Sequence, residues 1–512
     1  MDLPHDEPPA EAASLWTRQR RYFEVRGPDA WRQGDVPHYV TSNPGMAEAY
    51  AALVRGFLAD RRALGAAPNG EEPLHIIELG AGSGRFAYHF LRAIERRRHL
   101  LGEAWPPLRY VLTDVSAPIL EGWAAHPWLR PFIEAGQLDI AAFDVEHDRS
   151  LALRAGGRTI GPGDLAHPPV VVANYLFDTI PQDVFRLRDG AVWRALPEIA
   201  AAADEADPSL DAAEVSWRYE PLAGAPYDEA PLQQLFETYR RSLSDTHLVF
   251  PAAGLRAIAR LGALSPGGCL VLAADKGPLA LEALEGQAPP FIARHGSVSL
   301  PVNFHALAAA CETAGGLALT SSRTERGLKI VALLQTAGAA SHANTRAAYL
   351  DVIETFGPDD AYELFRMFRA RLDTLAFDEI AAALRFSHDD AHQFAWCLPR
   401  LNTLAAGLDT SQRGELVALC ERVWAGYLPL GEELDLAAAI GALLYAIEAY
   451  GPALAFHERS QAIYGPDSGG LFNTAACHWM LGDADAAAGL LRRVLAADPA
   501  NTEAEALLAE CG

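Results

Sequence analysis

Glu78 stands two residues ahead of Gly80-Ala81-Gly82-Ser83-Gly84, and this spacing of an acid and three glycines is the stretch best suited to chemistry. The residues before it, His75-Ile76-Ile77-Glu78-Leu79, form a short apolar run that reads as a buried parallel strand. After it, Arg85-Phe86-Ala87-Tyr88-His89-Phe90-Leu91 has helical spacing. Glycines let the backbone turn sharply and let a ligand approach with no Cβ in the way. The helix start adds free N–H groups. A dinucleotide fingerprint wants G-x-G-x-x-G and seats a pyrophosphate. The spacing in this chain is G-x-G-x-G, and a carboxylate at position 78 repels phosphate. It suits a cationic ligand. The plain alternative is an ordinary strand–helix turn.

A ligand with an amino group, a sulfonium and no phosphate is S-adenosyl-L-methionine (SAM), and the pattern points to it as the cofactor. Glu78, Gly80, Ala81, Gly82 and Gly84 are then expected to hold its methionine end. Three more acids end apolar runs. Asp114, with Val115 beside it, follows Leu108–Thr113 and is placed to accept from ribose hydroxyls; a turn or helix cap is the other reading. Asp144 follows Leu138–Phe143 and faces an adenine amino group, with Val145 against the ring, or else is a plain turn acid. Pro169–Ala173 runs into Asn174-Tyr175-Leu176-Phe177-Asp178, at the strand end where doubly wound folds bind ligands. Asn174, Tyr175 and Asp178 are the catalytic candidates, with Asn174 also near the cofactor and Asp178 equally readable as a cap. Thr41 and Ser42, just before Asn43-Pro44, read as a ligand wall or as an N-cap.

The elements that must position these residues alternate strand and helix from Leu74 to about Leu334. The expected class is α/β, a Rossmann-like sheet with helices on both faces and a closing antiparallel strand. Residues 1–70 read as a helical segment capping the cofactor site, and 71–335 as the catalytic domain. Residues 186–250 read as an irregular, acidic insertion, with a helix near Pro231–Ser244 and a lid role in view. Gln335-Thr336-Ala337-Gly338-Ala339-Ala340-Ser341-His342-Ala343-Asn344-Thr345-Arg346 reads as a linker. Residues 345–512 read as all-helical, and Pro466 and Pro499 lie 33 residues apart. That fits a tetratricopeptide-like repeat of about 34 residues over 438–512.

Composition narrows the partners. The net charge of −24 over 512 residues argues against nucleic acid and anionic membrane. Six scattered cysteines with no C-x-x-C indicate neither a zinc site nor a disulfide framework, so no metal is expected. The acidic N-terminus has no signal-peptide core, and cytoplasm is the default. Abundant Ala, Arg and Leu suggest a GC-rich bacterium.

Together these stretches resemble class I SAM-dependent methyltransferases, and within them the MidA-like family, which includes the mitochondrial complex I assembly arginine methyltransferases. Gly34-Asp35 with Tyr39-Val40-Thr41-Ser42 is similar to that family's GDF-x-TS segment. Glu78–Gly84 is similar to its E-L-G-x-G-x-G, and Ala173–Pro181 to its S-N-E-F-F-D-A-L-P. Phe250–Ala253, the Gly267-Gly268 strand and Val302–Leu307 match later blocks. Tyr175 stands where the family has Glu, Asn303 where it has Asp, and Pro301 where it has His. The resemblance implies methyl transfer to a protein or peptide side chain, with nitrogen favoured as acceptor. The helical repeats would grip the substrate, and a homodimer fits the same reading. The rival expectations are a small-molecule methyltransferase and a SAM-binding assembly factor or scaffold without turnover.

Overall fold

The computed structural model describes residues 10–32, 39–65, 72–101, 105–199, 210, 215–322 and 327–511. Gly34-Asp35 and most of the acidic stretch 200–214 lie outside the described residues. The chain divides into two compact units, Met1–Asp360 and Ala361–Gly512.

The first unit opens with helix α1 (Ala10–Arg26) and helix α2 (Pro44–Ala63). Asn43 starts α2: its Oδ1 accepts from Met46 N at 2.9 Å, and Pro44 occupies the first turn. The sheet that follows has strands β1 (Leu74–Glu78), β2 (Leu108–Asp114), β3 (Leu138–Ala142), β4 (Val170–Asn174), β5 (Cys269–Lys276), β6 (Leu317–Leu319) and β7 (Leu328–Gln335). Their spatial order is β6-β7-β5-β4-β1-β2-β3. β1 pairs in parallel with β2 and β4, β2 with β3, and β4 with β5. β7 runs antiparallel to both β5 and β6. β1 is buried along its whole length, as a strand covered on both faces must be. This is the Rossmann-like α/β class with an antiparallel strand near one edge.

Two regions differ from the sequence reading. Residues 186–250 carry the expected helix, at Ala230–Ser242, but the other described residues there are not irregular. Residues 183–250 hold a four-stranded antiparallel sheet of Asp245–Phe250, Asp183–Arg188, Ala191–Ile199 and Val215–Pro221, in that order. Asp189 (φ 48°) and Gly190 (φ 80°) join two of these strands, and Arg188 pairs with Ala191 across the turn. Asp-Gly is the short-range hairpin signal for such a two-residue turn. The acidic run downstream outweighed it in the sequence reading.

The expected linker at 335–346 is also structured. Ala343–Tyr349 is a helix lying against α2. Gly56 allows the close approach, since a Cβ there would stand 2.7 Å from Asn344 O. One turn further along α2, Asp60 accepts four hydrogen bonds: Oδ1 from Asn344 N (3.0 Å) and Nδ2 (2.7 Å), Oδ2 from Thr345 N and Oγ1 (both 2.8 Å). The fold of the first unit therefore continues past the seven-stranded sheet.

The second unit is helical. Leu436–Ala446, Tyr450–Tyr464, Ser468–Met480, Ala484–Ala497 and Thr502–Glu510 each pack on the next. Asp435, Asp467, Asp483 and Asn501 cap four of them by accepting from Ala438 N, Gly470 N, Ala486 N and Ala504 N. Phe394, Leu401, Leu416, Leu419, Ile440 and Phe456 form its core. Among the described residues, no helix is long and apolar enough to cross a membrane.

Asp60 generates a stability prediction. Burial alone would raise its pKa, but the bonds from Asn344 and Thr345 outweigh this and hold it below the usual range. A depressed folded pKa gives stability that is present above the unfolded value and lost as pH falls through the folded one. Asp60→Ala should cost about 3 kcal/mol at neutral pH. Denaturant melts of both proteins should converge in acid, and a constant gap would refute the assignment.

Candidate active site

The C-terminal ends of β1, β2, β3, β4 and β5 converge on one cavity of about 420 Å³. β1 and β4 lie side by side at the point where the strand order reverses, which is where open α/β sheets bind ligands. Thr41, Ser42, Glu78, Gly80, Ala81, Gly82, Asp114, Val115, Asp144, Val145, Asn174, Tyr175 and Asp178 all line it. Gly84, expected to bind the cofactor, is not among the lining residues.

The turn after β1 depends on its glycines. Gly80, Gly82 and Gly84 have φ of 56°, 55° and 72°, the left-handed region that favours glycine. A Cβ on Gly82 would stand 2.7 Å from Trp31 Cζ2, and one on Gly80 3.0 Å from Leu176 Cδ1. Gly84 instead meets Trp123, whose Nε1 donates to Gly82 O at 3.0 Å. Its glycine is needed for the turn, because the chain has by then bent away from the cavity into the next helix.

The acids at the strand ends differ in what holds them. Glu78 is buried and accepts from Tyr110 Oη at 2.8 Å. Burial pushes its pKa up to about 8 against that hydrogen bond, so it is largely protonated at neutral pH until a cation arrives. Asp114 is pushed up by burial to about 6, opposed by backbone hydrogen bonds from Ser116, Val115 and Gly82. It thus clips the glycine turn to the end of β2.

Asp144 lines the cavity and is also tied to its neighbours. Its Oδ2 takes Arg20 Nη1 at 2.6 Å and His147 Nδ1 at 3.1 Å, and its Oδ1 takes Glu146 N at 2.9 Å. Oδ2 is filled by two donors, while Oδ1 takes one and keeps a second lone pair. Arg20 also reaches Glu146 Oε1 at 2.8 Å and anchors α1 across the cavity.

Asn174 holds the wall formed by Thr41 and Ser42. Its Oδ1 accepts from Tyr50 Oη at 2.8 Å, and its Nδ2 donates to Thr41 O at 3.2 Å. Each end of its amide makes one such bond, and the residue lines the cavity. Tyr175 has φ 49°, a strained value for a bulky residue, and its N–H donates to Ala274 O at 2.9 Å. Asp178 packs beside Asp275 at the end of β5, and its N–H donates to Asp275 Oδ2 at 3.1 Å. Asn303 does not line the cavity. It caps the helix Phe304–Thr313, accepting from Ala306 N at 3.0 Å and donating to Val249 O at 3.0 Å.

Several lining residues escaped the sequence reading. Trp16, Gln19, Arg20 and Phe23 of α1, with Trp31, form one side of the cavity. Gln19 ties α1 to Val298 through paired bonds of 2.8 and 2.7 Å. No local signal marks a partner 279 residues away. Asp275 had a signal, an acid at the end of a parallel strand, the same logic that singled out Asp114.

Residues 53–277 match the family model described as "Putative S-adenosyl-L-methionine-dependent methyltransferase". Among solved structures, an uncharacterized protein from Burkholderia thailandensis is 15% identical, with 67% of this chain and 97% of that one covered and a TM-score of 0.38. A second structure from that organism, of a "likely methyl transferase" bound to S-adenosyl-homocysteine, is 14% identical with the same coverage and a TM-score of 0.37. Scores this low decide nothing about function. No curated protein matches the chain.

The glycine cradle and the buried acids fit a cationic nucleoside. Asp114→Ala should lower S-adenosyl-homocysteine affinity about tenfold or more in calorimetry. Wild-type affinity should fall as pH drops through about 6, where Asp114 protonates and stops accepting. A flat profile would remove Asp114 from the ribose role. Gly82→Ala should weaken binding through the clash with Trp31; unchanged affinity would show that the turn can relax. The match and the cavity at the strand ends together support a SAM-dependent methyltransferase whose cofactor is S-adenosyl-L-methionine.

Proposed function

We propose that the chain transfers a methyl group from SAM to a nitrogen of a protein or peptide side chain, and that the helical unit grips the rest of that substrate. The observation that carries this reading is a shared cavity. The glycine turn and Asp114 lie on one side of β4, and Asp178, Asp275 and Lys276 lie on the other, all lining the same space.

SAM, when bound, supplies an electrophilic methyl group on a sulfonium. Glu78 and Gly80–Gly82 would hold its amino-acid end, Asp114 its ribose, and Val115, Phe143 and Val145 its base. Asn174 keeps the Thr41–Ser42 wall in place, and α1 excludes water. Asp178 faces the acceptor and takes its proton. The protein's work is then mainly positioning. The helical unit contributes exposed Tyr362, Met367, Phe386 and Trp396, and Arg369 lies 4.2 Å over the Trp396 ring. A contiguous patch of such side chains is what an interaction surface needs.

One observation favours a second reading, a small-molecule acceptor. α1 is fastened over the cavity by Gln19 and Arg20, which narrows the way in for a bulky chain. Tritium from labelled SAM separates the two. Incubation with a lysate should label protein bands, and label confined to the small-molecule fraction would overturn the protein reading. With the protein substrate in hand, Trp396→Ala should raise its KM several-fold and leave the KM for SAM alone.

A further inference from the structure

We infer that Asp275 is a positioning residue for methyl transfer. It holds a proton against Asp178, so that the buried pair carries a single negative charge and offers Asp178 as the base for an N–H acceptor. The inference rests on the methyltransferase reading and adds to it a residue, a protonation state and a limit on acceptor class.

The geometry starts from the sheet. β4 and β5 are parallel neighbours in the register Ala274 to Asn174, so the residues just beyond them leave the sheet together. Asp275 is fully buried. Its Oδ1 accepts from Lys276 N at 2.8 Å and its Oδ2 from Asp178 N at 3.1 Å. Two backbone donors fix its carboxyl toward the Tyr175–Asp178 turn. That turn is held from the other side, since Leu300 N donates to Asp178 O at 3.0 Å and Val302 N to Lys276 O at 2.8 Å. Asp178 Oδ1 is buried and has no hydrogen-bond partner among the described residues. A buried acceptor left unpaired is costly, and a ligand N–H in the cavity would satisfy it.

Two carboxyl groups in hydrogen-bond contact cannot both be ionised in a dry site. Burial and the Asp178 charge push Asp275 far above the carboxylate range, so Asp275 keeps the proton. Burial raises Asp178 to about 7, against the hydrogen bond from Asp275, one from Ser299, and the Lys276 charge. Asp178 is therefore the ionised partner near neutral pH and sits close to the pH at which a base works best.

The step balances. The acceptor nitrogen bonds the incoming methyl carbon with its lone pair, the donor sulfur keeps the electron pair of the broken C–S bond, and the N–H proton passes to Asp178. A carboxylate acceptor would bring a second negative charge to the pair and no proton. The pair selects amine, imidazole or guanidinium acceptors over acidic ones.

The test uses the full chain with S-adenosyl-homocysteine and needs no acceptor. Infrared difference spectra, each variant subtracted from the wild type so that the Glu78 and Asp114 carboxyls cancel, should show a buried protonated carboxyl persisting through neutrality and lost in Asp275→Asn. The difference between wild type and Asp178→Asn should show one carboxyl that titrates near neutrality. In Asp275→Ala the ionised Asp178 loses its donor, so its titration should move up by about one pH unit or more. A merely structural Asp275 would lower Tm and leave that titration in place, which would overturn the inference. Absence of any protonated carboxyl at neutral pH in the wild type would do the same. If the Ala variant does not fold, an Asp178→Asn titration identical to the wild type's overturns it alone. In turnover, Asp178→Asn should lower kcat by about a hundredfold or more with the KM for SAM unchanged. Radiolabel transfer by the wild type reports separately on the methyltransferase reading and can stand if the pair fails.

Discussion

Asp114 and Asp275 end strands β2 and β5, and each folds its carboxyl onto backbone N–H groups of the turn that follows or faces it. These hydrogen bonds do two jobs. They keep irregular backbone ordered at the mouth of the sheet, where no ladder continues, and they hold ionisable groups inside a low-dielectric cavity. Desolvation then sets the chemistry. Glu78, Asp114, Asp178 and Asp275 all titrate above the usual carboxylate range, with burial as the largest cause in each case. The concentration of displaced carboxyl pKa values at the strand ends is what separates this cavity from the rest of the fold.

The walls of the cavity depend on contacts that cross the chain. α1 closes one side through Gln19, which pairs with Val298, and through Arg20, which bridges Asp144 and Glu146. Ser116 Oγ donates to Phe23 O at 3.2 Å and adds a third tie. Asp144 thereby fastens α1 while lining the cavity. Tyr50 and Asn174 tie the Thr41–Ser42 wall to the end of β4 in the same way. Side chains that look like ligand contacts along the sequence are, in several places, the bolts that hold the cavity in shape.

The legible part was the sheet and its strand ends. The apolar runs Leu74–Glu78, Leu108–Thr113, Val170–Ala173, Cys269–Asp275 and Leu328–Leu334 all became strands, and Asn43 became the cap of α2. Apart from Gly84, the candidate residues gathered in one cavity. The misreadings came from weighing composition above local turn chemistry. Asp189-Gly190 marked a hairpin inside the acidic insertion, and the small residues of 335–346 concealed a helix that Gly56 and Asp60 receive. Asn303, which stands where the resembled family has Asp, is a helix cap.

By itself the sequence determined whatever is local. Strand and helix periods, glycines obliged to take positive φ and acids at strand ends are set by a residue and its near neighbours, because backbone sterics act over a few bonds. Tertiary structure decided which of those acids meet a ligand and which meet another residue. Asp178 and Asp275 lie 97 residues apart and pair only because the strand order puts β4 beside β5. Asp144 and Arg20 are 124 residues apart and pair only because α1 lies across the end of β3. Burial, and with it the charge each carboxyl keeps at neutral pH, belongs to that assembly and to no single stretch of the chain.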